Sequence, residues 1–260
     1  MVASWTSALV TGASSGIGRA MAQQLAAKGT DVVAVARDTG RLEELAKELA
    51  DSPGKIEILG ADLADPAQRA RVEARLVDAE RPIDLLINNA GFGTYGNFAQ
   101  LPVDEEEREI EVNVVALVRL SHAALGAMQA RGRGTILNVS SVAGLQSTPG
   151  NATYGATKAF VTSFTEALHE ESRGTGVSVT AVLPGFTRTE FQTRAGIEGR
   201  KIPDFAWQNA EDCAAQALDA ARSGKAFFVP GMVNKALVTL TALIPRGVMR
   251  RITSRLSRRL

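Results

Sequence analysis

Short apolar runs and helix-spaced apolar positions take turns along this chain. Runs rich in Val, Ile and Leu fall at 8–11, 31–36, 56–61, 85–88, 135–139, 177–183 and 226–229. Their near-continuous hydrophobicity predicts strands buried on both faces. Between them, apolar residues recur at helical spacing over 16–28, 40–51, 66–80, 104–130, 154–173 and 210–222. Asp65-Pro66 places an N-cap residue before a proline at the first helical position. Asp104 precedes three glutamates, 105–107, which suit the positive end of a helix dipole. Strands and helices alternating at this spacing predict an α/β domain. Its doubly wound parallel sheet has about seven strands, helices on both faces and right-handed crossovers.

Composition agrees with one soluble domain. The chain has 260 residues, 45% of them hydrophobic and 22% charged, which argues against a disordered, collagen-like or multi-span membrane protein. A single cysteine, Cys213, excludes an intrachain disulfide and a Cys-rich metal site. His122 and His169 lie far apart within helical segments, so no metal site is expected and neither they nor Cys213 receives a role. Residues 1–10 have no basic start and no long apolar run, so no signal peptide is expected, and a reducing, cytoplasmic setting fits. The net charge of +1 hides an asymmetry. Residues 232–260 hold Lys235, Arg246, Arg250, Arg251, Arg255, Arg258 and Arg259 with no acid, a charge of +7, against −6 for the rest. The chain therefore divides into a domain over 1–231, with a substrate lid at about 186–210, and a basic tail over 232–260.

The first strand runs into Thr11-Gly12-Ala13-Ser14-Ser15-Gly16-Ile17-Gly18 and then a helix. Glycines let backbone approach a ligand closely, and a helix N-terminus offers unpaired N–H groups to a pyrophosphate. The spacing is GxxxGxG rather than the commoner GxGxxG. The second strand ends Val35-Ala36-Arg37-Asp38, with Ala36 where an acid would hold a ribose 2′-hydroxyl. Arg37, with Arg19 as a second candidate cation, suits a 2′-phosphate. NADP(H) is therefore favoured over NAD(H). Asp38 either caps the turn or holds a ribose hydroxyl.

Tyr154 and Lys158 stand four apart on one helix face. A nearby ammonium lowers the pKa of a phenol and fits it for general acid–base work. Alone the pair is a weak pattern. Other candidates gather at carboxyl ends of predicted strands, where open α/β sheets bind ligands: Ser141, the run Asn88-Asn89-Ala90-Gly91, Pro184-Gly185, Thr187 and Thr189. Ser140 competes with Ser141, but alternation along a strand points it to the other face.

With these residues in place, the chain resembles the short-chain dehydrogenase/reductase family, in its branch of about 250 residues. The matching features are 11–18, Asp62, 88–91, Asn113, Ser141, Tyr154, Lys158 and 184–185, in identity, order and spacing over residues 8 to about 190. The resemblance implies a Rossmann-like sheet of order 3-2-1-4-5-6-7 and a dehydrogenase acting on CH–OH groups. It implies that Tyr154 exchanges a proton with the substrate oxygen and that Lys158 tunes Tyr154 and bonds the nicotinamide ribose. Ser141 would polarise the substrate oxygen, and Asn113 would hold a water that links Lys158 to solvent. Asp62 would meet the adenine, Asn88 the adenosine side and Thr187 the carboxamide. The implied cofactor contacts are Gly12, Ser14, Ser15, Gly16, Ile17, Gly18, Arg37, Asp62, Leu63, Asn88, Ala90, Gly91, Tyr154, Lys158, Pro184, Gly185, Thr187 and Thr189. In family members the helices matching 104–130 and 154–173 build a dimer or tetramer, so a homodimer or homotetramer is expected.

Phe92, Leu145, Phe186, Phe191 and Trp207 sit in loops beyond the strand ends and suggest a lipophilic carbonyl or alcohol as substrate. Arg188, Arg194, Arg200 and Lys201 lie in the later, lid-like stretch. The run 236–244 is too short to span a bilayer, and from Gly247 an apolar stripe faces arginines. Such a segment, over 236–260, either lies on an anionic membrane or packs on protein. Nucleic-acid binding is not expected, because the basic tail lacks interleaved aromatics. The alternative to an enzyme is a regulatory cofactor-binding protein with little turnover; Tyr154 and Lys158 weigh against it.

Overall fold

The computed structural model describes residues 5–147, 149–194, 204, 207–242 and 244. Alternate residues of β1 (Ser7–Thr11) serve two separate cores, Ala8 and Val10 on one face and Leu9 on the other. β2 (Asp31–Ala36) divides in the same way, with Val32 and Ala34 opposed to Val33 and Val35. Period-two alternation with both faces apolar is what a sheet covered by helices on each side requires. β3 (Ile56–Gly60), β4 (Leu85–Asn88), β5 (Gly134–Val139), β6 (Val177–Val182) and β7 (Phe227–Phe228) complete the sheet. All pairings are parallel, in the order β3-β2-β1-β4-β5-β6-β7. The expected architecture and strand order are both present.

The helices among the described residues are α1 (Gly16–Ala27), α2 (Thr39–Glu48), α3 (Pro66–Leu76), α4 (Val103–Ile110), α5 (Leu117–Arg131), α6 (Ala152–Glu171), α7 (Phe191–Arg194), α8 (Ala210–Arg222) and α9 (Met232–Ala242). α1, α2 and α8 cover one face through Met21, Leu25, Leu42, Leu45, Ala214 and Leu218. α3 and α5 cover the other through Val72, Leu76, Leu120, Ala124 and Met128. Each Leu, Met or Val among these stabilises the fold by about 1.5–3 kcal/mol when fully buried.

Several expected bounds shift: the helix of 40–51 ends at Glu48, and the strand of 226–229 shortens to Phe227–Phe228. The helix expected over 66–80 stops at Leu76. The helix expected from Asp104 starts one residue earlier, with Pro102 as its N-cap and Asp104, Glu105 and Glu106 in its first turn. It is also not uniform. Residues Glu111–Ala116 wind as a π-helical stretch that joins α4 to α5 and carries Asn113. Wider turns of this kind shift every later side chain around the helix and are often found at functional sites. The run Val103–Arg131 is long and apolar enough to cross a bilayer by composition, yet it turns Leu117, Leu120, Ala124 and Met128 into the sheet core. The amphipathic pattern from Gly247 lies outside the described residues, as do Arg200, Lys201 and the side chain of Arg194.

Candidate active site

β1 ends beside the end of β4, and the two are stitched together. The Thr11 hydroxyl accepts the N–H groups of Asn89 and Ala90, each at 3.0 Å. Asn89 Nδ2 donates back to the Thr11 carbonyl at 3.0 Å. The chain then turns through Gly12, at φ +69°, into α1. A Cβ on Gly12 would lie 2.8 Å from Asn89 Nδ2, and one on Gly18 only 2.3 Å. Glycine at both positions is what allows this close approach. Ser15 caps α1 by position, but its side chain makes no capping hydrogen bond. The first N–H groups of α1, around Gly16, Ile17 and Gly18, therefore lack a side-chain acceptor from the cap. Thr189 reaches across from beyond β6, its Cγ2 3.0 Å from where a Gly16 Cβ would stand.

The rim at the end of β2 sorts the candidate cations. Arg19 donates to Glu48 at 2.5 Å and contacts the Arg41 carbonyl, so it is bound to α2. Arg41 donates to Glu190 at 2.6 Å. Arg37 is exposed and has no charged partner among the described residues. Asp38 accepts the Arg41 N–H at 3.1 Å and caps α2, the first of its two expected roles. Beyond β3, Asp62 accepts the Ala64 N–H at 3.0 Å and is paired with Arg108. Leu63 is in the core. The Asn88 amide is turned inward, donating to Ser121 and Asn138 at 3.0 and 2.9 Å, so its side chain is held inside the sheet layer.

The ends of β5 and β6 meet α6. Ser140 points away from the cleft and is buried. Its hydroxyl donates to the Lys158 carbonyl at 2.7 Å and touches Thr162, which pins α6 to the sheet. Ser141 faces the opposite way, and its hydroxyl bonds the Tyr154 phenol. It also lies 3.4 Å from the Pro184 carbonyl, beside Gly185. Lys158 Nζ donates to the Val139 carbonyl at 2.9 Å and stands 5.7 Å from the centre of the Tyr154 ring. Asn113 accepts the Phe92 N–H at 3.1 Å and donates to the Phe92 carbonyl and to Thr157. Both of its amide hydrogens are thus committed, and it clamps the loop after β4 to α6. Gly91 lies between it and the lysine: a Cβ there would sit 2.9 Å from Asn113 Oδ1 and 3.4 Å from Lys158 Nζ. Thr187 is buried, and its hydroxyl contacts the Gly185 carbonyl at 3.2 Å.

Burial dominates the charge states of the site. Burial pushes the Tyr154 phenol up to about 12, the Ser141 hydrogen bond lowers it, and the charge of Glu109 raises it. Lys158 meets the ring face and the Val139 carbonyl. Burial pushes Lys158 down to about 8, with Glu109 acting in the opposite sense. Burial likewise pushes the Glu109 carboxyl up to about 7, against hydrogen bonds from Thr94, while Glu106 adds to the rise. Cys213 is buried and its thiol is pushed up to about 12, which makes it a poor nucleophile.

The sequence motifs did not point to Glu106, Glu109, Thr94 or Gly93. A Cβ on Gly93 would lie 2.8 Å from the Tyr154 ring, so this glycine seats the ring. A polar residue at an apolar position of a helical pattern was the only available signal for Glu109. Three of the loop aromatics pack in pairs: Phe191 lies 5.3 Å from the Tyr154 ring, centre to centre, and Phe186 lies 5.8 Å from Trp207.

Comparison with known proteins places this site in a family. The model of the short chain dehydrogenase family matches residues 6–198. A short-chain dehydrogenase from Sphingobium yanoikuyae, solved in complex with NADPH, superimposes with a TM-score of 0.82 at 38% identity, covering 92% of this chain and 96% of that one. A bulky-bulky ketone specific alcohol dehydrogenase from Comamonas testosteroni gives a TM-score of 0.78 at 32% identity over 93% and 95%. Ketoacyl reductase HetN of a Nostoc species is 32% identical over 91% of this chain and 82% of that protein. The chain belongs to the short-chain dehydrogenase/reductase family. It is an oxidoreductase of a class that uses NAD(P) and acts on small molecules.

Proposed function

We propose that this chain is an NADP(H)-dependent reductase of lipophilic ketones, working in the other direction as a secondary-alcohol dehydrogenase. One observation carries the reading: Ser141, Tyr154, Lys158 and Asn113 meet at the carboxyl end of the sheet, beside the glycine turn. The residues fit a nicotinamide dinucleotide, since α1 opens without a side-chain cap and Arg37 has no charged partner among the described residues. When bound, the reduced cofactor supplies hydride to the carbonyl carbon. Ser141 hydrogen-bonds the carbonyl oxygen and polarises it. Tyr154 holds its proton across the physiological range and gives it to that oxygen. Lys158 holds positive charge behind the ring and offers hydrogen bonds toward the ribose. Arg37 receives the 2′-phosphate and sets the preference for NADP(H). Phe191 and the Phe186–Trp207 pair keep water from the reacting carbonyl.

The test is NADPH oxidation with a panel of medium-chain, cyclic and aryl ketones, with Tyr154→Phe as control. Turnover of bulky ketones that Tyr154→Phe abolishes supports the reading. A strong preference for small polar sugars refutes the lipophilic part. A cytoplasmic homodimer or homotetramer completes this picture, and the exposed Phe160, stacked on the half-buried Phe164 of α6, favours association. A second reading concerns the tail. Val233, Leu237 and Leu240 form an exposed stripe on α9, next to Met232, and six arginines follow in the sequence. This suits peripheral contact with an anionic membrane. Truncation after Gly231 should abolish binding to anionic vesicles; unchanged binding removes the idea.

A further inference from the structure

Behind the Tyr154–Lys158 pair, on the side of α4, two glutamates are buried together. Glu109 has no exposed surface and Glu106 is 5% exposed. Thr94 joins them. Its hydroxyl lies 2.5 Å from Glu106 Oε1 and 3.2 Å from Glu109 Oε2, and its N–H donates to Glu109 Oε2 at 2.9 Å. The Thr153 hydroxyl donates to the other oxygen of Glu106. A hydroxyl has one proton and can donate to only one of two carboxylates. Both contacts of Thr94 are full hydrogen bonds only when one of the two carboxyls carries a proton. Glu109 Oε1 has no hydrogen-bond partner among the described residues.

This cluster borders the reacting groups on three sides. Thr94 follows Gly93, which seats the Tyr154 ring. Thr153 precedes Tyr154 in α6. Asn113, one turn beyond Glu109, clamps Phe92 and Thr157. Three ionisable groups face Glu109: Glu106 on its own helix, and Tyr154 and Lys158 on α6. Thr94, from the loop after β4, brings no charge. The lysine's direct partners are a carbonyl and a ring face, neither of which carries a full charge. An ammonium buried in such surroundings needs an anion within reach.

We propose that Glu109 is a positioning residue, the buried counter-charge to Lys158, and that through it Glu109 keeps Tyr154 a proton donor. The inference rests on the reductase reading of the site and adds the group that sets its proton balance. An ionised Glu109 favours the ammonium over the amine and the phenol over the phenolate. Both effects suit reduction, in which the phenol must arrive protonated. The Glu109 carboxyl itself titrates at about 7, so its influence switches on across neutrality.

The chain has two tyrosines, Tyr95 and Tyr154, so a Tyr95→Phe background leaves one phenol to follow. With Tyr154 labelled at Cζ, its carbon resonance is followed by NMR from about pH 5 to 12, without substrate or cofactor. An inflection near neutrality is expected, reporting the ionisation of Glu109. Glu109→Gln should remove that inflection and lower the phenol midpoint by about one unit. Glu109→Asp should restore both in part. In turnover, Glu109→Gln should move the alkaline limb of kcat/KM for ketone reduction to lower pH by a similar amount, with NADPH affinity unchanged. A merely structural glutamate would lower Tm and leave these midpoints in place. Unmoved midpoints in a folded Glu109→Gln protein overturn the proposal. If that variant does not fold, a featureless wild-type curve across neutrality overturns it. Absence of turnover in the wild type would sink the reductase reading alone, since the resonance still judges Glu109.

Discussion

The two ends of the cleft treat charge in opposite ways. At the end of β2, Arg19–Glu48 and Arg41–Glu190 are close pairs on the surface, and water screens them. At the end of β5, Lys158, Glu109 and Tyr154 interact away from water, and each is driven far from its ordinary titration range by burial. The same residue types thus do different work. Surface cations are suited to recognising an anion that arrives from solvent. Buried groups are suited to holding or passing a proton, because small changes nearby alter their charge. The contrast teaches that a short ion-pair distance says little about function until the burial of the pair is known.

The comparison breaks most readily at the buried end. Tyr154→Phe should reduce kcat by about 10²–10⁴-fold, the usual share of a general acid, while NADPH binding and Tm stay near wild type; steady-state kinetics with fluorescence titration of NADPH checks this. Next in size is a pH effect on stability. Glu109 is raised on folding from 4.5 to about 7, so the folded state keeps a proton that the unfolded chain releases. Its stabilising contribution is complete below about pH 4.5 and is lost as pH rises through about 7, by about 3 kcal/mol. Denaturant titrations of wild type and Glu109→Gln should show the wild type losing stability relative to the variant over that window. At the exposed end, Arg37→Ala should weaken NADPH by about tenfold, the loss of one charge-assisted contact, and leave NADH unchanged. Isothermal titration with both cofactors decides it. The smallest effect is expected for Arg41→Ala with Glu190→Ala, which should leave Tm where it is, since both side chains are exposed. A clear fall in Tm would mean that the exposed pair is coupled to the core after all.

The same contrast separates what could be read along the chain from what could not. Strands were legible because their side chains alternate into two apolar layers, and the bounds of β2 and β4 agree residue for residue with their apolar runs. The Asp65 cap was legible because capping is local: its carboxylate takes the Ala67 and Gln68 N–H groups. Ser141 was separable from Ser140 by the same period-two rule, and the two do point apart. By contrast, the wide turns at Glu111–Ala116 leave no mark in a list of residue types, yet they carry Asn113. Arg19 and Arg37 read alike as cations until folding brought Glu48 against one of them.

By itself, then, the order of apolar and small residues determined the parallel sheet, the helices that cover it and the glycine turn where a phosphate would sit. Those features depend on neighbours a few positions away and on a period that side chains impose directly. Only the tertiary structure decided the charge states. Burial raises the Tyr154 phenol and the Glu109 carboxyl and lowers Lys158, because burial and long-range approach set the cost of an ion. Distances of that kind join β4, α4 and α6 across separate stretches of chain, and no local pattern encodes them.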